Sequence, residues 1–302
     1  MPRKESNIFK YIDERAIARF GGNPLLSEFP MEGNVSGHHK SNHKGSSVEF
    51  AEYREYTPGE DPKRMDWRVL ARTDRYFLKE FEAETNLRSY HLLDCSASMK
   101  FGKPNSKLEY AKKLIGTLSY AYLNQGDAVG LSLLRPSATE DIPARRIPSQ
   151  LQAILHTLDD AKAKGENQVT DQLHQLAESI KSRAQLIVYS DFLDDPKSIA
   201  DFVHHMRDRK HEVILFHIMD RQEVEFHFDR PTRFIDLEGG PSLLTEPSII
   251  RDEYLKQMRI HLEEIKKICA ETRSSHFETV TDSSIDEALK VFSFDRTLSS
   301  NR

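Results

Sequence analysis

The chain has 302 residues, 38% hydrophobic and 30% charged, with 43 Lys and Arg against 48 Asp and Glu and a net charge of −5. That length accommodates one large domain or two modest ones, and the mildly acidic balance excludes a chain-wide electrostatic drive toward nucleic acid or anionic lipid. Cys95 and Cys269 lie far apart with no CxxC spacing, which excludes a zinc–cysteine centre and a disulfide framework and fits a reducing, cytoplasmic setting.

From Met1 to Phe20, charged residues interrupt every apolar run, so no signal peptide is expected. Nowhere does the chain reach the roughly 18 consecutive apolar residues of a membrane span. Gly33 to Ser47 reads as a polar loop. Its histidines His38, His39 and His43 have no carboxylate or thiol at ligand spacing and, with Lys40 and Lys44, read as a solvated basic loop. Val48 to Glu84 places Tyr53, Tyr56, Trp67, Tyr76, Phe77 and Phe81 among alternating acids and bases. There, Lys63, Arg64, Arg68, Arg72 and Arg75 alternate with Glu60, Asp61, Asp66 and Asp74, which points to internal ion pairing and away from nucleic-acid binding. Residues 1–85 are therefore expected to form a partly extended N-terminal layer packed on a core.

From Leu87 onward, short apolar runs alternate with segments of helical period, the pattern of a parallel sheet with crossover helices. Strands are expected at Tyr90–Leu93, Val129–Leu134, Leu186–Tyr189, Val213–Ile218 and His276–Val280. Helices are expected after Ser106, whose capping-box spacing to Glu109 marks a start, then at about 149–164, 170–183, from Pro196, at about 248–272 and from Ser284. Short β-like runs around Pro231 and Gly239-Gly240 suggest a hairpin insertion at 223–247. The expected fold is thus α/β: a doubly wound, mainly parallel sheet flanked by helices over 86–294, with the N-terminal layer before it and a tail at 295–302.

In such a sheet, ligands bind at the carboxyl ends of strands near the point where strand order reverses. The first post-strand segment there, Asp94-Cys95-Ser96-Ala97-Ser98, sets one carboxylate and two hydroxyls at alternate positions. Ser190-Asp191 follows a second strand, and Thr170-Asp171 opens the helix before it. These are hard oxygen donors of the kind Mg²⁺ prefers. The bland alternative is a metal-free loop in which Ser96 and Ser98 cap the backbone and Asp171 is a first-turn acid.

This D-x-S-x-S, Thr, Asp arrangement resembles the metal-ion-dependent adhesion site of von Willebrand factor type A domains. Asp94, Ser96 and Ser98 match its first element, Thr170 its second and Asp191 its third. The segment running through "EYREYTPGEDPKRMDWRVLARTDRYFLKEFEAETNLRSYHLLDCSASM", with "GDAVGLSLL", "SDFLDD", "HEVILFHIMD" and "PTRFIDLE", is similar to the bacterial DUF58 family, which carries a type A-like domain. The resemblance implies a non-enzymatic interaction module that holds Mg²⁺, or Mn²⁺ or Ca²⁺, and binds an acidic group of a protein partner. It further implies a MoxR-type AAA+ ATPase as that partner. Cys95 stands where the family usually has a small residue and is expected to fill space in the sheet. The competing expectation is a metal-dependent hydrolase or phosphotransferase with Asp94 as nucleophile, against which stands Ser96 at the position where such enzymes carry a second Asp.

Overall fold

The computed structural model describes residues 8–20, 49–55, 69, 76–82, 87–135, 140–165, 172–173, 176, 180, 182–228, 230–237 and 239–300. Thr170, Asp171, His38, His39, His43 and the block around Trp67 lie outside the described residues, as does most of the helix expected at 170–183, of which Gln172, Leu173 and Leu176 are helical.

Two strands near the N-terminus, β1 (Glu49–Glu55) and β2 (Phe77–Glu82), pair antiparallel. The main sheet is built from β3 (Arg88–Asp94), β4 (Ala128–Leu134), β5 (Glu140–Arg145), β6 (Gln185–Ser190) and β7 (Glu212–Met219). A hairpin of β8 (Thr232–Phe234) and β9 (Leu243–Thr245) intervenes before the last strand, β10 (Ser275–Val280). The order in the main sheet is β10-β7-β6-β3-β4-β5, and every pairing is parallel except β4 with β5. This is the mainly parallel α/β architecture that the alternating pattern predicts.

The residues of β6 and β7 are buried throughout, as expected of parallel strands covered on both faces. Alternation along each strand divides the core. Leu93, Ile187, Tyr189, Ile214 and Phe216 join Leu114, Ile115 and Phe292 on one face, and Leu92, Leu186, Val188, Val213 and Leu215 join Phe202, Val203 and Ile265 on the other. Burying each such side chain contributes about 1.5–3 kcal/mol. β5 carries no apolar run in sequence and holds Pro143, features that a strand tolerates only at a sheet edge, which is where it lies.

The helices are α1 (Glu14–Phe20), α2 (Lys107–Asn124), α3 (Gln150–Asp160), α4 (Pro196–Asp208), α5 (Arg221–Glu225), α6 (Pro247–Glu271) and α7 (Ile285–Ser300). Ser106 caps α2 by accepting from Glu109 N–H at 3.2 Å. Asp195 caps α4 with Pro196 at its first position, and Ile199, Phe202, Val203 and Met206 form its buried stripe. α5 occupies the start of the segment expected to be hairpin, because Asp220 and Glu223 form a reciprocal capping box that starts a helix there.

The N-terminal residues Ile8, Tyr11 and Ala16 belong to the first core cluster. Tyr11 donates its hydroxyl to Asp159 Oδ1 at 3.1 Å, and Asp13 N–H donates to Thr117 Oγ1 at 3.0 Å. Gly116 lies so close to the Tyr11 carbonyl oxygen that any Cβ there would collide with it. Among the described residues, no helix is long and apolar enough to cross a membrane.

Candidate functional site

From β3 the chain crosses over to β4 on one side, while the next parallel strand, β6, lies on the other. Strand order therefore reverses between β3 and β6, and the crevice at their carboxyl ends is where an open α/β sheet receives a ligand. Asp94 ends β3 and Ser190 ends β6, with Asp191 following.

Asp94 and Asp191 are both nearly fully buried. Asp94 Oδ1 accepts from the Ser96 N–H at 2.7 Å and Oδ2 accepts from the Ser190 hydroxyl at 2.7 Å. Burial, followed by the negative charge of Asp191, pushes the Asp94 carboxyl up to about 7, while its hydrogen bonds from Ser190 and Ser96 pull the other way.

The loop after β3 is tied to the segment that follows α3, since Ala97 N–H donates to Gly165 O and Lys164 N–H donates to Cys95 O, each at 2.9 Å. Ser96 begins a short 3₁₀ turn, Ala97–Lys100, yet its hydroxyl makes no capping bond. It lies 2.8 Å from the Ser98 hydroxyl instead. The backbone-capping alternative for Ser96 is thus not what this loop does. Cys95 is fully buried, with its thiol directed at Leu93 O at 3.7 Å and pushed up to about 12, first by burial and then by the neighbouring Asp94 charge. Such a thiol is a space filler, without the exposure and low pKa that redox reactivity requires.

The sequence-based site therefore divides. Asp94, Ser96, Ser98 and Asp191 come together at one strand-end crevice, and Thr170 lies outside the described residues. Ser190, named beside Asp191 in the sequence, joins them, and two further residues enter that periodicity and spacing did not single out: Lys107 and Glu223. Lys107 Nζ lies 2.6 Å from Asp191 Oδ2 and 2.7 Å from Glu223 Oε1, and the Lys107 side chain is 1% exposed. Burial alone would lower the Lys107 pKa, but the charges of Asp191 and Glu223 carry it above its ordinary value. Glu223 Oε2 also accepts from the Asp220 N–H at 2.7 Å, so one carboxylate both caps α5 and holds the ammonium.

One sequence signal did mark Lys107: a cation at the first position of an 18-residue helix sits against the positive end of the helix dipole. Only buried carboxylates make that placement favourable.

Two histidines brace the loop that follows β6. The buried His217 ring packs edge-on against the Phe192 ring with centroids 5.4 Å apart, and His261 Nε2 lies 2.7 Å from Phe192 O. Phe192 itself has a φ of 45°, an uncommon conformation for a bulky residue that these contacts help to hold.

The sequence-predicted donors that meet at this crevice, Ser96, Ser98, Asp94 and Asp191, are two hydroxyls and two carboxylates, an all-oxygen set that suits a hard divalent ion and suits neither zinc nor copper. Among the described residues, no group of three or more His, Cys, Asp or Glu side chains is disposed to hold a metal ion. Half of these predicted donors are serine hydroxyls, which lie outside those four residue types.

Comparison with known proteins places this chain. It is 25% identical over 246 residues to the uncharacterized protein Rv1480 of Mycobacterium tuberculosis, covering 78% of this chain and 76% of that one, and the same figures hold for the uncharacterized protein Mb1516 of Mycobacterium bovis. Among solved structures it is similar to the conserved hypothetical protein BatB from Bacteroides thetaiotaomicron, with 16% identity and a TM-score of 0.47 over 72% of this chain and 100% of that one. It is also similar to the SpRpn10 VWA domain, with 14% identity and a TM-score of 0.42 over 68% of this chain and 95% of that one. Residues 52–264, well over half of the chain, match the family model described as "Protein of unknown function DUF58", and the chain belongs to the DUF58 family.

Proposed function

We propose that this protein is a non-enzymatic, divalent-cation-dependent protein-interaction module. In this reading Asp94, Ser96, Ser98, Thr170 and Asp191 hold Mg²⁺, or Mn²⁺ or Ca²⁺. Once bound, the ion supplies a positive centre with a coordination position open to an Asp or Glu of a partner. The observation that carries the reading is the Ser96–Ser98 hydroxyl pair, 2.8 Å apart, beside two buried carboxylates at the point where strand order reverses. The chain prepares this set in advance. Ser96 N–H and the Ser190 hydroxyl orient the Asp94 carboxylate, and His217 and His261 hold Phe192, the residue after Asp191.

The hairpin supports a protein partner, since it exposes Ile235, Leu237, Leu243 and Leu244, apolar side chains of the kind that interaction surfaces use. The partner, by family resemblance, is a MoxR-type AAA+ ATPase, met in the cytoplasm, where two free buried cysteines stay reduced. The hydrolase reading is less well supported, because Lys107 is engaged by Asp191 and Glu223, and both Asp94 oxygens already accept hydrogen bonds.

The test is capture of a purified MoxR-type ATPase with Mg²⁺, with EDTA, and by Asp94→Ala. The reading requires that EDTA and the substitution abolish capture while the circular dichroism spectrum stays native. Undiminished capture in either case refutes it.

A further inference from the structure

The proposed function leaves one buried charge of the site without a part: the Lys107 ammonium. A buried ammonium is costly unless ion-paired and hydrogen-bonded, and Lys107 has both of its partners at short range, Asp191 at 2.6 Å and Glu223 at 2.7 Å, with the Phe101 ring centroid 5.8 Å away. One of those partners, Asp191, is also an expected ligand of the divalent ion. An ammonium and a divalent cation on one carboxylate repel strongly where little water screens them.

We infer that Lys107 is a tethered counter-ion of the metal site: it holds Asp191 when the site is metal-free, a divalent cation must displace it from Asp191, and Glu223 retains the ammonium after the exchange. The inference rests on the divalent-cation reading above. Its first consequence is affinity, because binding is weakened by the contact it must break and so stays reversible. Its second is communication. Glu223 caps α5 by accepting from Asp220 N–H, and α5 leads into the hairpin with its exposed apolar residues. Moving the ammonium fully onto Glu223 therefore couples the occupancy of the site to the segment that bears that surface.

The decisive variant is the double substitution Lys107→Met with Glu223→Gln. It removes one positive and one negative charge, so the net charge of the site is unchanged and a long-range electrostatic effect predicts unchanged affinity. Direct competition for Asp191 predicts tighter binding of Mn²⁺, by about tenfold in a calorimetric or paramagnetic-resonance titration. Tighter binding by the double variant supports the inference, as does binding by the double variant when the native protein takes up no Mn²⁺. Equal affinity in the two proteins overturns the inference and leaves the metal reading standing. Absence of Mn²⁺ binding in both overturns the metal reading and the inference with it. Should the double variant not fold, the native protein labelled with ¹⁵N at its lysine side chains carries the test, because a buried, paired ammonium gives its own resonance. Mg²⁺ must shift the Lys107 signal, and a signal unmoved in protein that has bound Mg²⁺ overturns the inference.

Discussion

The hydroxyl of Ser190 donates to Asp94 Oδ2 at 2.7 Å, joining the ends of two adjacent parallel strands that are 96 residues apart in sequence. Ser190 Oγ in turn accepts from the Phe192 N–H at 3.0 Å, so Ser190 orients one carboxylate of the site and shapes the loop that bears the other. Ser190→Ala removes a buried donor from a carboxylate and leaves the Phe192 N–H without this acceptor. The expected cost is about 1–3 kcal/mol of folding stability, read from urea unfolding. A loss below about 0.3 kcal/mol would show that the two bonds are not made.

The pKa of Asp94 gives stability a definite pH dependence in metal-free buffer. Burial and the Asp191 charge raise the folded value to about 7 from 3.8 in the unfolded chain. Between those values the folded protein holds a proton that the unfolded chain has lost, so stability falls as pH rises from about 4 to 7. Asp94→Asn cannot ionise. It should abolish this slope and, with EDTA present, be more stable than the native protein at pH 8 by about 1–4 kcal/mol, the upper figure following from 1.36 kcal/mol per pKa unit. Thermal unfolding of both proteins across this pH range checks it.

The buried His91 and His211 and the half-buried His276 act in the opposite sense. Burial is the main cause that lowers His91 to about 3, His211 to about 4 and His276 to about 4, against 6.5 in the unfolded chain. Here the unfolded chain binds more protons below 6.5, so these groups contribute stability that is present above that pH and is lost as pH falls toward 4. Of these three the largest share belongs to His91, whose Nδ1 lies 2.8 Å from the Tyr189 hydroxyl in the core, and the buried His217, also lowered, acts in the same sense. In an Asp94→Asn background, His91→Phe should flatten the acid limb of the stability curve, and an unchanged limb would assign it to other groups.

Gly116 tests the docking of the N-terminal residues. A methyl group there meets the Tyr11 carbonyl oxygen, a backbone atom that cannot turn aside, so Gly116→Ala must displace Tyr11 and the bond from Asp13 N–H to Thr117. The expected loss is about 1–3 kcal/mol, with earlier proteolytic cleavage near residues 8–20. Identical cleavage kinetics in the two proteins would mean that the segment does not depend on this contact.

Both thiols are buried and pushed up to about 12, Cys95 by burial and the Asp94 charge, and Cys269 by burial. Neither should react with an aromatic disulfide reagent until the protein unfolds. Rapid labelling of the native protein would contradict the space-filling role assigned to Cys95.

Much of the fold is legible in the sequence, because its signals are local. The all-buried strands β6 and β7 announce themselves as apolar runs, and the starts of α2 and α4 follow from Ser106 and from Asp195-Pro196, each acting within a few residues. β5 escapes detection because an edge strand need not be apolar and can hold Pro143.

The site shows the same division. Asp94, Ser96 and Ser98 can be picked out because they alternate along one loop, and Asp191 because it directly follows a strand. No local rule pairs Lys107 with Asp191, 84 residues away, or with Glu223, 116 residues away. Those contacts depend on which strand lies beside which, and that order is set by how the two faces of the sheet are buried. The sequence by itself thus determined the donors that a divalent ion would need. The tertiary structure alone decided that a lysine would stand among them, because only the buried Asp191 and the half-buried Glu223, brought around the start of α2, make an ammonium favourable at the positive end of a helix.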